Sequence, residues 1–216
     1  MRVCGTPEDI LTEMIRIEPT VDGALRLARG LVQSAKGHIG EHQAACLYVL
    51  ARAYAFEGAS ILEIGTLLGY SACVIAEAAP LASIITLNPN REEAAVAGKA
   101  LARFGNVRVE PHKSWQFIHW HEGEFDMIFV DGDHKHILAD MPWWNRLKVG
   151  GLMVWHDYTP GGVPHPCPPV YEAVNAWRDR LGRALDVEVV DSGGAGMAGL
   201  YRREGEVWGQ EVGSMK

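Results

Sequence analysis

Short apolar runs and longer stretches of helical periodicity alternate along most of the chain. From residue 60 onward, short runs rich in β-branched residues predict strands: SILEIG at 60–65, SIITL at 83–87, VRVE at 107–110, MIFV at 127–130 and LMVW at 152–155. Segments with apolar residues at helical spacing predict the helices: 71–79, 91–104, 137–147 and 170–181. The last runs, VEVV at 187–190 and GLYRR at 199–203, predict a hairpin that closes the sheet. This order predicts an α/β fold with a doubly wound, mostly parallel, seven-stranded sheet.

The N-terminal part of the chain has a different pattern, without a clear strand. Apolar residues recur at helical spacing near Ile10, from Val21 to Ala35 and from Gln43 to Phe56. We therefore expect a helical extension or cap over residues 1–58, in front of a main domain over residues 59–216.

Composition and charge narrow the class of protein. The 216 residues are 48% hydrophobic and 22% charged, which is typical of a globular protein. The formal net charge of −7 argues against nucleic acid or an anionic membrane as a partner. The apolar runs fall short of the ~20 residues of a membrane span, and no signal peptide is visible. The four cysteines lack CxxC spacing, which favours free thiols and therefore a cytoplasmic location. The sequence leaves open whether the chain forms a homo-oligomer.

A glycine-containing turn follows the first predicted strand. In LEIGTLLGYSA at 62–72, Gly65 and Gly69 lie between that strand and a helix. Glycines let a backbone approach a ligand and present its N–H groups. The spacing is GxxxG and not the GxGxxG of dinucleotide-binding proteins, so by itself the motif also fits a plain tight turn.

Titratable residues gather where two predicted strands end. VDGDHKH at 130–136 follows the fourth strand, and His156 with Asp157 follows the fifth. Because parallel strands present their carboxyl ends at one edge, we expect Asp131 and Asp157 to face one cleft. Two carboxylates can hold a divalent cation such as Mg²⁺, whereas a histidine at this position favours a softer metal. Two alternatives stay open: His156 as an acid–base group without a metal, or aspartates that only cap a helix beside surface histidines.

The segment from Ser60 to about Tyr201 resembles the class I S-adenosylmethionine (SAM)-dependent methyltransferases. The resemblance depends on the first motif of that family, E-x-G-x-x-x-G, together with VDGDH and a later strand that ends in WHDY. It is similar in particular to the catechol O-methyltransferase-like group and its branch that methylates natural-product sugars. The resemblance implies a SAM-dependent O-methyltransferase that acts, with the help of a metal, on the hydroxyl of a small-molecule acceptor.

The resemblance also implies roles for individual residues. The residues that it assigns to the cofactor pocket are Glu63, Gly65, Thr66, Tyr70, Ser71, Asn88, Ser114 and Asp131. Asn88 stands where the family usually has an acid for the ribose hydroxyls, and an amide accepts such a bond without a charge. The implied metal ligands are Asp131, His156 and Asp157. The candidate base is His134 first and Asp133 second, because an acceptor hydroxyl must lose its proton.

Other interpretations compete with this one. A nicotinamide-dependent oxidoreductase shares the fold class, but the missing GxGxxG and the amide at Asn88 count against it. A non-catalytic SAM-binding protein is favoured by Asn88 and His156. The string HIGEH at 38–42 matches the H-x-x-E-H of zinc peptidases, yet Gly40 inside it predicts a helix start or loop. The resemblance to the methyltransferases implies that His38 to Glu41 form a lid over the cofactor.

Overall fold

A seven-stranded sheet forms the centre of the protein in the computed structural model, which describes residues 39–159, 167–189 and 196–209. The strands, numbered in chain order, are β1 Ser60–Ile64, β2 Ser83–Leu87, β3 Val107–Glu110, β4 Phe125–Val130, β5 Leu147–His156, β6 Val187–Val189 and β7 Met197–Tyr201. Their order in the sheet is β3-β2-β1-β4-β5-β7-β6. The predicted doubly wound α/β fold is therefore confirmed, and so is the closing hairpin.

The strand order reverses between β1 and β4. From β1 the chain moves outward through β2 to β3 and then returns to place β4 on the other side of β1, with parallel pairing throughout. β5 extends the sheet in parallel to β4, and β7 then pairs antiparallel with both β5 and β6. In open α/β sheets this reversal point is where ligands bind, outside the carboxyl ends of the strands.

Helices cover both faces of the sheet. The α-helices are α1 Glu41–Arg52, α2 Tyr70–Ala78, α3 Arg91–Leu101, α4 Ser114–Phe117 and α5 Pro168–Leu181. α1 corresponds to the last helix of the predicted N-terminal extension; the earlier ones lie outside the described residues. The described helices include none with the length and apolar character of a membrane span.

The segment between β4 and β5 corrects one prediction. Instead of the single helix expected over 137–147, two short 3₁₀-helices occupy His134–Ala139 and Met141–Arg146. His136 has non-helical backbone angles, and Pro142 has no N–H for an α-helical hydrogen bond, so a continuous helix cannot form. β5 then begins at Leu147, earlier than the predicted start at residue 152.

The strands β1, β2, β4, β5 and β7 contribute to two cores because their side chains alternate between the faces of the sheet. On β1, Ile61 packs with the residues of α1 and α2, whereas Leu62 packs on the opposite face. That second core contains four buried tryptophans: Trp143, Trp144, Trp155 and Trp177. Both cores fix the strand ends that carry the polar cluster.

Candidate active site

The turn between β1 and α2 brings two strand ends into contact. Gly65 has a φ of +106°, and a side chain there would overlap the backbone carbonyl of Asp131 and lie 2.9 Å from the nitrogen of Gly132. The backbone nitrogens of Gly65 and Thr66 both donate to the carbonyl of Leu87, each at 3.0 Å. Glycine is therefore required here by its backbone angle and by the close approach of the β4 end.

Two cavities border this turn. One, of about 300 Å³, contains most of the predicted cofactor residues in its wall. These predicted residues are Gly65, Thr66, Tyr70, Ser71, Asn88 and Asp131. The other, of about 390 Å³, contains Ser114. Gly65, Pro89, Gly132 and Asp133 border both cavities, so together they form a continuous cleft at the reversal point of the sheet.

Glu63 lies beneath the turn and not in the cleft wall. It is completely buried; Thr86 donates a hydrogen bond to its carboxyl group, and the hydroxyls of Thr66 and Thr86 are hydrogen-bonded to each other. Burial raises the pKa of Glu63 to about 7, although hydrogen bonds from Ser71 and Thr86 oppose the shift. The geometry gives Glu63 a supporting position under the glycine turn.

The buried carboxyl group of Glu63 should make stability depend on pH. Its pKa is about 7 in the folded chain against 4.5 for an ordinary glutamate, so between these values the folded state binds the extra proton. Stability should therefore fall as pH rises through this window, by on the order of 3 kcal/mol. In Glu63→Gln this contribution is absent. Urea unfolding of both proteins from pH 5 to pH 8 measures the difference, and parallel curves would contradict the assignment.

The residues after β4 and β5 form one compact polar cluster. Nδ1 of His156 lies 2.9 Å from Oδ1 of Asp131 and 3.4 Å from Oδ1 of Asp157. The other oxygen of Asp157, Oδ2, lies 2.8 Å from Nε2 of His134. Asp157 thus bridges the two histidines, one on each oxygen. The expected meeting of Asp131 and Asp157 at one edge is confirmed in position.

Gln43, which belongs to no motif of the sequence, fixes the orientation of His156. Its Oε1 accepts a hydrogen bond from the backbone nitrogen of Gly40 at 2.9 Å and lies 3.1 Å from Nε2 of His156. Because Oε1 is an acceptor, the Nε2 of His156 carries a hydrogen and donates it. The remaining nitrogen, Nδ1, faces the carboxylates and holds either a proton or a metal ion.

The charges in the cluster reinforce one another. Burial disfavours a charged ring at His156, yet hydrogen bonds to Asp131 and Asp157 outweigh it and raise its pKa to about 10. Burial alone would raise the pKa of Asp157, but hydrogen bonds from His134 and His156 hold it well below its usual range. The hydrogen bond to Asp157 raises the pKa of His134. Asp157 is therefore a carboxylate at neutral pH.

Asp133, the second candidate base, has a different environment. Its side chain is 65% exposed, lies 2.8 Å from Nδ1 of His136 and accepts from the backbone nitrogen of Lys135 at 3.1 Å. The hydrogen bond with His136 lowers the pKa of Asp133. This is the arrangement of a helix cap, although Asp133 also borders both cavities. His136 is 75% exposed at the border of the larger cavity.

A second buried carboxyl group, that of Asp140, borders the larger cavity. The Ser114 hydroxyl donates to Asp140, and burial raises the pKa of Asp140 to about 6. Both side chains are buried and border the cavity. Asp140 was missed from the sequence because the residues around it were expected to form one ordinary helix.

The donor groups of the cluster fit a divalent metal ion. One ligand atom each from Asp131, His156 and Asp157 lies within 4.8 Å of the others, and the same holds for His134, Asp157 and Cys167. Metal-binding histidines commonly donate their other N–H to an acceptor, which is the role of Gln43 toward His156. Mixed nitrogen and oxygen donors suit Mn, Fe or Zn better than Mg²⁺.

The HIGEH string does not form a zinc-peptidase helix. α1 begins only at Glu41, after Ile39 and Gly40, and His38 lies outside the described residues. His165 and most of the proline-rich loop after β5 lie outside them as well. Ile39 is buried and borders the smaller cavity, so this end of the described chain covers part of the cleft.

The glycine turn, the cleft at the reversal point and the seven-stranded sheet define the class I SAM-dependent methyltransferases. A family model described as "Methyltransferase domain" matches residues 62–158, the part of the chain that builds the cleft. Residues 62–158 therefore form a methyltransferase domain. Its particular relatives point in the same direction.

A curated catechol O-methyltransferase from Niastella koreensis is 36% identical over 106 residues. The match covers 45% of this chain and 48% of that protein, so the chain matches about half the length of its relative. Two solved structures show the same fold. Cofactor-bound Rv0187 from MTB has a TM-score of 0.65 and 24% identity, covering 92% of this chain and 99% of that one. The O-methyltransferase TomG from Streptomyces achromogenes, in complex with SAM, has a TM-score of 0.60 and 22% identity, covering 83% and 89%.

Proposed function

We propose that the protein transfers the methyl group of SAM to a hydroxyl oxygen of a small molecule. The observation that carries the proposal is the pair of His134 and Asp157 at the edge of the cleft that contains the glycine turn. The name of the curated relative, a catechol O-methyltransferase, supports an oxygen acceptor. The net charge of −7 favours a small molecule over nucleic acid. We place the reaction in the cytoplasm, because the described cysteines are free thiols.

His134 has the position and the partner of a general base. Nε2 of its ring donates to Asp157, so Nδ1 is the nitrogen that can take a proton from an acceptor hydroxyl. Asp157 holds the ring in this tautomer and stabilises the imidazolium that forms, as carboxylates do beside catalytic histidines. Bound SAM supplies an electrophilic methyl group on a positively charged sulfur. The residues of the cleft orient the acceptor behind that methyl group and exclude water.

We extend the proposal to a divalent metal ion held by Asp131, His156 and Asp157. An ion there would lower the pKa of an acceptor hydroxyl and fix its position. Asp157 could bind the ion and orient His134 at the same time, because Oδ1 faces His156 and Oδ2 faces His134. Nδ1 of His156 binds the ion only when it has lost its proton. The same geometry without a metal makes His156 an imidazolium between two carboxylates.

Metal titration distinguishes these two states of His156. We expect Mn²⁺ or Zn²⁺ to raise the melting temperature of the chelator-treated protein by more than Mg²⁺ does. Asp131→Asn should lose this response because it removes one ligand charge, whereas Asp133→Asn, whose side chain is largely exposed, should keep it. Calorimetric titration gives the affinities. A wild type that binds none of these ions while it methylates an acceptor would favour the imidazolium.

Binding and turnover test the reaction as a whole. Calorimetry should show that SAM and S-adenosylhomocysteine bind with one site per chain. Incubation with SAM and a panel of catechols, other phenols and sugars should then yield a methylated product, detected by mass spectrometry. Binding without turnover across the panel would support a non-catalytic SAM-binding protein. Binding of NADH in place of SAM would support an oxidoreductase.

A further inference from the structure

The end of β2 carries an amide whose hydrogen bonds are nearly all used. Nδ2 of Asn88 donates to the carbonyl of Leu67 at 3.0 Å and to Oε2 of Glu93 at 3.1 Å. Oδ1 accepts from the backbone nitrogen of Asn90 at 2.9 Å. Both amide hydrogens are therefore engaged, and Oδ1 has one lone pair left for a ligand. Asn88 alone can accept at most one further hydrogen bond.

Glu93 brings a carboxylate to the same place from the first turn of α3. It borders the same cavity as Asn88, and it is partly buried. Asn90 caps the helix by accepting from the backbone nitrogens of Glu92 and Glu93 at 3.0 and 3.4 Å. Glu92, next to it in the same turn, is exposed and does not border the cavity. The helix start and the Asn88 amide together hold one carboxylate at the cleft.

A ribose offers two adjacent hydroxyl donors, and nucleotide-binding sheets of this kind meet them with an acid near the end of the second strand. A carboxylate accepts such hydrogen bonds with charge assistance, which an amide lacks. Glu93 has the acceptor capacity that Asn88 lacks, and the two side chains are in direct contact.

We infer that Glu93 binds the ribose hydroxyls of SAM, and that Asn88 positions Glu93 and accepts at most one of the two hydrogen bonds. In this chain the acid therefore lies in the first turn of the helix after β2 and not at the end of the strand. This inference rests on the proposed function, because it takes SAM as the ligand. It assigns a cofactor-binding role to a residue outside the turn and the strand ends.

Calorimetric binding of S-adenosylhomocysteine to matched variants tests the inference. Loss of charge-assisted hydrogen bonds should make Glu93→Gln bind about 10- to 100-fold more weakly than the wild type. Glu92→Gln removes the same charge from the same helix turn and should bind within about twofold of the wild type. Equal melting temperatures of the two variants would show that folding is not the cause.

Ligands without a ribose hydroxyl provide the second arm. The 2′-deoxy and 3′-deoxy analogues of S-adenosylhomocysteine should bind the wild type more weakly than the parent ligand does. In Glu93→Gln most of this difference should disappear, because the partner of the missing hydroxyl is gone. An equal loss of affinity for the deoxy analogues in the wild type and in Glu93→Gln would overturn the role of Glu93. A wild type that binds no S-adenosylhomocysteine overturns the proposed function together with this inference, so the two failures can be told apart.

Variants that place a carboxylate at the strand end, at position 88, provide an independent test. Asn88→Asp alone should weaken binding, because it places a second carboxylate against Glu93 and removes the donor to Leu67. Asn88→Asp combined with Glu93→Gln keeps one acid in the pair and should bind more tightly than Asn88→Asp alone. A double variant that binds no better would count against an exchange of roles between these positions.

Discussion

Gly65→Ala should abolish the binding of S-adenosylhomocysteine and destabilise the fold by more than about 3 kcal/mol. Two costs combine at this position. The backbone angle of +106° disfavours any side chain, and the new methyl group would overlap the carbonyl of Asp131, which belongs to rigid backbone and cannot rotate away. Relief requires β1 and β4 to separate at the point where the cleft is built. Urea unfolding and calorimetry measure the two effects.

Gly58→Ala is the matched control for this substitution. Gly58 also has a positive φ, of +82°, but nothing lies within 4 Å of the position that its side chain would occupy. It should therefore show only the conformational cost, about 1 kcal/mol, with ligand binding unchanged. Equal losses of stability in both variants, or normal binding by Gly65→Ala, would show that contact with Asp131 does not shape the cleft.

Removal of the candidate base should have the second large effect. His134→Ala should lower kcat by about 10²- to 10⁴-fold, the usual contribution of general base catalysis. The affinity for S-adenosylhomocysteine should change little, because the ring acts on the acceptor. In the wild type, activity should fall as pH drops through the pKa of His134, since only the neutral ring accepts a proton. The hydrogen bond to Asp157 raises that pKa, so the acid limb should lie above 6.5.

His136→Ala is the control for His134→Ala. It removes an imidazole two residues away whose side chain is 75% exposed, and activity should stay close to that of the wild type. The pH–rate profile provides a separate check. An acid limb that persists in His134→Ala would assign the titrating group to another residue.

The sequence was sufficient to predict the sheet and the meeting of Asp131 with Asp157. Strands that alternate with helices along the chain indicate a parallel sheet, and parallel strands place their carboxyl ends at the same edge. Gln43 could not be predicted, because it lies 113 residues before His156 and contacts it only through the packing of α1. Glu93 could not be selected from the sequence either, because it lies in the helix after the strand end and only the fold brings it into contact with Asn88. The 3₁₀-helices depend on local backbone angles at His136 and on Pro142, which periodicity does not report.

The neighbouring positions of β1, β4 and β5 in the sheet determine the distance between the glycine turn and Asp157. The glycine turn follows the first of these strands, Asp131 follows the second and Asp157 follows the third. Adjacent strands lie about 4.8 Å apart, so the span from the glycine turn to Asp157 is about two strand spacings. Loops around a cleft tolerate changes in length and composition, while this span stays constant because main-chain hydrogen bonds maintain it.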